Sequence, residues 1–270
     1  MTETLPAASV LGVAREGGVL TLTLNRPERL NSLDDALLEA LLSGLRTARE
    51  DASVRAVVIT GAGRGFCAGA DLVQSALRSG SGVSSGAAVR AHLQEHYAPL
   101  ITGIRELEKP VVAAVNGVAA GAGMSLALAC DLRIAAESAS FLQAFVRIGL
   151  VPDAGSTYFL PRLVGMARAM ELAMLGERIP AAEALAVGLV NRVVPDASLA
   201  SAAAELAGRL AEGPRSLGLI KRALYLSSES DLRTQMAHEE DLQALAAGTA
   251  DFAEGVAAFL EKRPARFTGT

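Results

Sequence analysis

Apolar and polar residues alternate strictly over Leu20-Thr21-Leu22-Thr23-Leu24, which predicts a strand with one buried face. An apolar run over residues 10–15 precedes it, and Gly17-Gly18 between the two completes a β-hairpin. Leu37, Leu38, Leu41, Leu42 and Leu45 then recur at helical spacing. Ser32, with Asp35 three residues on, resembles a capping box at the start of that helix. Continuous apolar runs at 56–60, 111–115 and 132–135 are too short for helices and predict fully buried strands. The pattern predicts a long helix over 87–107 and a small-residue helix over 124–130. Residues 141–156 read as a strand or loop that closes in Pro152-Asp153-Ala154-Gly155. Beyond 157 the pattern is helical, broken at Gly165, Gly176, Pro180, Gly188 and Pro195, and from 197 onward almost everything is helix. Residues 78–86 are rich in Ser and Gly and predict a flexible loop, and residues 1–8 a loose tail. This order predicts an α/β core over 1–196 followed by a helical region over 197–270.

Composition narrows the function classes. With 51% hydrophobic residues the chain buries a sizeable core, and a net charge of −4 argues against nucleic acid or an anionic membrane as the main partner. Only Cys67 and Cys130 occur, with no CxxC spacing, so a disulfide framework is not expected. Both sit among small apolar residues, where a thiol is ordinarily inert packing. No basic segment followed by an apolar one opens the chain, and no apolar run reaches spanning length. The expectation is a soluble, cytoplasmic protein.

Two glycine stretches carry candidate chemistry. Gly121-Ala122-Gly123 follows the buried run 111–115 and opens the small-residue helix, which presents unpaired N–H groups at the positive end of a helix dipole. Such a turn receives a phosphate or a forming oxyanion, or simply lets helix and strand pack tightly. The second stretch, Gly61-Ala62-Gly63-Arg64-Gly65 through Ala70-Asp71, follows the run 56–60. It fails as a dinucleotide fingerprint because Phe66 stands where the third glycine belongs. No P-loop and no G-x-S-x-G elbow occur. His92-Leu93-Gln94-Glu95-His96 matches the zinc pattern H-x-x-E-H, but His238 is the one other histidine, so the pair reads as a solvated helix face and no metal is expected. Asp153 follows an apolar segment directly; as a residue alone it is either an N-cap for the helix near 156 or an acid placed for chemistry.

Together these segments resemble the enoyl-CoA hydratase/isomerase (crotonase) superfamily. The resemblance rests on LTLNRPERLNSL at 22–33, VVITGAGRGFCAGADL at 57–72 and KPVVAAVNGVAAGAG at 109–123. ACDLRIA at 129–135 and EALAVGLVNRVVP at 183–195 extend it over almost the whole chain. It implies an α/β spiral of ββα repeats with a helical C-terminal trimerisation region. The implied partners are an acyl-CoA thioester and further copies of the chain, as a homotrimer or a dimer of trimers. No cofactor is implied, since coenzyme A enters as part of the substrate. Carried over, the backbone N–H groups of Ala70 and Ala122 hold the thioester oxygen, with Gly121 at the second turn. Arg29, Ala68, Asp71 and Leu72 contact the adenine and pantetheine, and Phe259 and Lys262 are weaker candidates for reaching across a trimer interface. Hydratases of the family use two glutamates, at positions that here hold Ser125 and Phe145, so both carboxylates are missing. The isomerase branch places its acid/base where Asp153 stands. The resemblance therefore implies an isomerase that moves a double bond from 3-enoyl-CoA to 2-enoyl-CoA, or rearranges a ring-epoxide phenylacetyl-CoA. Phe145, Leu150 and Val151 are expected to keep water from Asp153. A hydratase using another acid and a non-catalytic acyl-CoA-binding protein are the alternatives.

Overall fold

The computed structural model describes residues 9–72 and 85–270; the expected tail, and residues 78–84 of the expected Ser/Gly loop, lie outside the described residues. The strands are β1 (Leu11–Glu16), β2 (Val19–Leu24), β3 (Ala56–Gly61), β4 (Gly65–Cys67), β5 (Val111–Val115), β6 (Val118–Ala120), β7 (Leu132–Ala136), β8 (Ser140–Leu142), β9 (Arg178–Pro180) and β10 (Arg192–Val194). The helices of the first half are α1 (Asp35–Glu50), α2 (Gly86–His92), α3 (Ala98–Glu106) and α4 (Ala122–Ala129). Those of the second are α5 (Ser156–Val164), α6 (Met166–Leu175), α7 (Ala181–Ala186), α8 (Leu199–Ala211), α9 (Ser216–Ser227), α10 (Leu232–Ala247) and α11 (Ala250–Glu261).

The strands form two sheets, ordered β1-β2-β3-β5-β7-β10 and β4-β6-β8-β9. β3, β5 and β7 each run through a turn of two or three residues into a short strand of the second sheet. Three successive steps of the chain thus climb both sheets together, the spiral of ββα units that the resemblance implies. Pairing is parallel from β2 through β10, while β1 and β2 form the antiparallel hairpin that the alternation predicts. β5 lies between β3 and β7 and is buried along its whole length, which is why it shows no alternation.

Sequence periodicity located the main elements but read as helical the stretch that holds β9 and β10, and it misjudged two further details. Asp34, not Ser32, caps α1: its carboxylate accepts from the Leu37 N–H at 2.9 Å. The Ser32 hydroxyl is taken up instead by Arg26 and Asp71. The helix predicted over 87–107 is interrupted by a π-helical turn at Leu93–Tyr97. Within 141–156, β8 is followed by a 3-10 turn at Ala144–Ile148 rather than by continued strand.

α8 packs across β2, β3, β5 and β7, with Leu199, Ala203, Leu206, Ala207 and Ala211 buried. The helix that follows a boundary at 196 therefore belongs to the layer covering the large sheet, and the outlying helical region begins at α9. α9 is fastened to the core by a buried network. Lys221 Nζ lies 2.8 Å from Asp131 Oδ2 and donates to the carbonyls of Ile104 and Lys109, and the Tyr225 hydroxyl donates to Asp131 Oδ1. Asp131 Oδ2 also accepts the Val111 N–H at 2.7 Å, where β5 begins. Asp131→Ala leaves Lys221 buried without its anion and is expected to cost about 3–5 kcal/mol, measured by denaturant unfolding.

Candidate functional site

The two glycine turns meet at the start of α4. Gly123 is obligatory there: a Cβ on it would lie 2.2 Å from the Cys67 carbonyl oxygen, so α4 packs directly on β4. Gly69, at φ +100°, brings the other turn alongside; a Cβ on it would lie 2.9 Å from the Ala120 oxygen and 3.5 Å from the Ala122 nitrogen. Tight packing at this turn is thus a demand of the glycines at 69 and 123.

Among the described residues, neither the Ala70 nor the Ala122 N–H makes a backbone hydrogen bond outside the regular elements. A parallel bridge joins Leu33 to Ala70, in which the Leu33 N–H donates to the Gly69 oxygen at 2.7 Å and the Asp71 N–H to the Leu33 oxygen at 2.9 Å. This pattern uses the residues on either side of Ala70 and turns its own N–H the opposite way. Ala122 is the first residue of α4, after Gly121 at φ +51° and ψ −126°, so its N–H is one of the unpaired donors of a helix start. Gly121 itself donates to the Leu142 oxygen at 2.9 Å, tying the turn to β8. Alanine in place of glycine at 122 keeps the donor, and its methyl group is buried.

The turns are held by side chains that the sequence motifs did not single out. Asn31 is fully buried, at φ +57°; its amide donates to the oxygens of Ala62 and Gly65 and its oxygen accepts from the Arg26 N–H. Asn116 accepts from the Gly61 N–H and donates to the Gly63 oxygen. The Arg26 guanidinium lies 3.0 Å from Asp71 and 3.1 Å from Asp34, anchoring the residue after Ala70. Asp71, expected against coenzyme A, thus has its carboxylate engaged with Arg26 and Ser32, and acts on the site by positioning Ala70. Arg29 is exposed on the short turn Pro27–Arg29, and Leu72 is also exposed. The Ala68 N–H is spent on the Leu30 oxygen.

Asp153 does not cap α5. The N-cap is Gly155, without a side-chain bond, and Ala154 and Gly155 both take the left-handed conformation. This turn presents the Asp153 carboxyl inward: Oδ1 is buried with no hydrogen-bond partner among the described residues. Burial raises its pKa from 3.8 to about 6. The Ser125 hydroxyl, from α4, lies 3.0 Å from the Asp153 carbonyl oxygen, and the Ser156 N–H donates to that same oxygen. The helix that presents the Ala122 N–H therefore also holds the acid. Phe145 is buried next to Gly121, its ring edge 3.9 Å from where a Cβ would stand. Leu150 and Val151, expected to shield Asp153, are 46% and 78% exposed in the single chain, so Phe145 alone of the three is buried. A cavity of about 610 Å³ opens beside Gly155, lined by Ile101, Arg105, Tyr158, Phe159 and Tyr225 among others. Burial pushes Cys67 and Cys130 up to about 12, so both thiols are inert at neutral pH.

Two glycine turns that meet at the start of α4, and one carboxyl oxygen buried without a hydrogen-bond partner among the described residues, make up the candidate site. The chain belongs to the enoyl-CoA hydratase/isomerase family, whose pattern matches residues 14–270. It is 48% identical over 255 residues to the 1,2-epoxyphenylacetyl-CoA isomerase of Escherichia coli (strain K12), covering 94% of this chain and 96% of that protein. It is 40% identical over 262 residues to the 2,3-dehydroadipyl-CoA hydratase of the same strain, covering 97% and 99%. A crystal structure of an enoyl-CoA hydratase from Bacillus anthracis superposes with a TM-score of 0.90 at 39% identity, covering 97% of this chain and all of that one.

Proposed function

We propose that this protein is an acyl-CoA isomerase that converts 3-enoyl-CoA to 2-enoyl-CoA, with ring-epoxide phenylacetyl-CoA as a second substrate class. The observation that carries the reading is Asp153 Oδ1, buried without a hydrogen-bond partner among the described residues, on a residue whose backbone is tethered to the helix proposed to receive the oxyanion at its first N–H. Asp153 removes a proton from the carbon next to the thioester carbonyl. The electron pair passes into the carbonyl, and the dienolate oxygen is held by the Ala70 and Ala122 N–H groups. The same carboxyl returns the proton two carbons away, so the product has the substrate's mass. No water is added, and no carboxylate stands at 125 or 145 to activate one. The isomerase relative at 48% identity supports this reading.

The raised pKa fixes the sign of the pH dependence. The reaction starts from the carboxylate, so kcat/KM is expected to rise about tenfold per pH unit below about 6 and to level off above it. Stability runs the other way. The folded chain holds this proton more tightly than the unfolded chain, so Asp153 costs stability as pH rises from 3.8 to about 6. A conjugated-thioester absorbance assay across pH 4–8 reads the profile; a rate independent of pH through this window contradicts Asp153 as the base.

The proposal extends to assembly. α10 and α11 expose Leu232, Met236, Phe252 and Phe259, and the 145–151 segment exposes Ile148 and Val151, a large apolar surface for one chain. Homotrimers, singly or paired, cover it and bring Phe259 and Lys262 toward a neighbour's coenzyme A, and the cytoplasm is the proposed location. Among the described residues no helix is long and apolar enough to cross a membrane. Light scattering is expected to give three or six chain masses, and Phe259→Asp to shift the population to single chains.

A further inference from the structure

We propose that Asp35, His92 and His96 form a binding site for a divalent metal ion of the zinc type, which pins α1 to α2. One carboxylate oxygen and one ring nitrogen from each histidine lie within 4.8 Å of one another, and His92 Nε2 stands 3.8 Å from Asp35 Oδ1. Bonds of about 2.0–2.1 Å in a tetrahedral site place ligand atoms roughly 3.3 Å apart. Binding an ion therefore draws the three side chains closer together. Two imidazoles and a carboxylate suit zinc and its borderline neighbours better than calcium or magnesium, which prefer oxygen donors.

The sequence showed half of this site. His92-x-x-x-His96 places both rings on one helical face, and the π-helical turn at Leu93–Tyr97 carries that face into α3. The rings lie 4.7 Å apart, and the edge of the His92 ring meets the Tyr97 ring, which is buried and fixes the orientation of the pair. The solvated-face reading misses Asp35, which stands 57 residues earlier and reaches the histidines only through the fold. All three side chains are partly buried, which favours ligation over the looser contacts of an open surface. Acidic groups also stand nearby: Asp34 and Asp71 share the guanidinium of Arg26, and Asp34 adjoins Asp35. Asp34 is the neighbour of Asp35 and holds Arg26, and Arg26 holds Asp71 beside the donor Ala70. An ion on Asp35 thus stiffens the support of the oxyanion site from behind.

Cobalt(II) is the probe, since it occupies zinc sites and absorbs visible light when bound by nitrogen and carboxylate ligands. The full-length protein, stripped with EDTA and titrated with cobalt chloride, is expected to bind one ion per chain with visible bands. Added zinc should abolish those bands, and the thermal midpoint should rise with metal concentration. His92→Ala and His96→Ala should each lose bands and shift, Asp35→Asn should weaken both, and His238→Ala should keep both. Metal-free melting of every variant at the parent midpoint verifies that each is folded. Where a histidine variant melts early, Asp35→Asn decides. No bands at millimolar cobalt, or bands that survive in both histidine variants and in Asp35→Asn, overturn the proposal.

Discussion

Asp153→Asn is expected to lower kcat for double-bond migration by about 10²–10⁴-fold, the usual contribution of a positioned acid/base, while the Kd for acyl-CoA stays close to that of the parent. The amide fills the same space in the same turn, and the tether that Ser125 makes is to the Asp153 backbone, which the substitution leaves in place. Asparagine removes only the ability to take and return a proton. Because the buried carboxylate costs stability at neutral pH, the variant is also expected to melt no lower than the parent at pH 7.5. Stopped-assay kinetics with isothermal titration separate the two effects. Full turnover with asparagine at 153 contradicts the assignment, and loss of binding makes Asp153 a structural residue.

Ala122→Pro is expected to reduce kcat/KM by about 10²–10³-fold, the loss found on removing one oxyanion donor from another enzyme. Proline is well tolerated at the first position of a helix, because the N–H it lacks has no intrahelical partner there. The helix is expected to form as before, with only one donor left, at Ala70. Ala122→Gly, which keeps the N–H, should retain most of the activity and separates the donor from the side chain. Circular dichroism confirms folding, and unchanged turnover in a folded Ala122→Pro contradicts a two-donor oxyanion hole.

The sequence carried what depends on neighbours along the chain. Alternation in β2, the continuous apolar run of β5 and the glycines at 69, 121 and 123 answer definite demands: one buried face, two buried faces, a left-handed turn at 121, and backbones too close for a Cβ at 69 and 123. The resemblance then added what spacing alone left open, the choice of Asp153 as an acid over Asp153 as a helix cap. What stayed hidden depends on residues distant in sequence. Asn31 bridges to Gly65 and Asn116 to Gly61, side-chain-to-backbone bonds that fix the first glycine turn and have no periodic signature. Arg26 rather than Arg29 proved to be the organising arginine, because its partners Asp34 and Asp71 meet only once β2, α1 and β4 are assembled. Ser32 was misjudged as a cap for the same reason, its hydroxyl being drawn to that ion pair. The exposure of Leu150 and Val151 likewise has no signature in their apolar character, which predicts burial.

The measurement that tests the account most directly is mass spectrometry of the products from 3-enoyl-CoA and, separately, 2-enoyl-CoA. The account predicts a conjugated product of unchanged mass from the 3-enoyl thioester, formed by the parent and not by Asp153→Asn. Gain of one water on the 2-enoyl thioester as the main reaction would contradict it and make the protein a hydratase; tight binding with no conversion of either thioester would contradict it in favour of a non-catalytic acyl-CoA-binding protein.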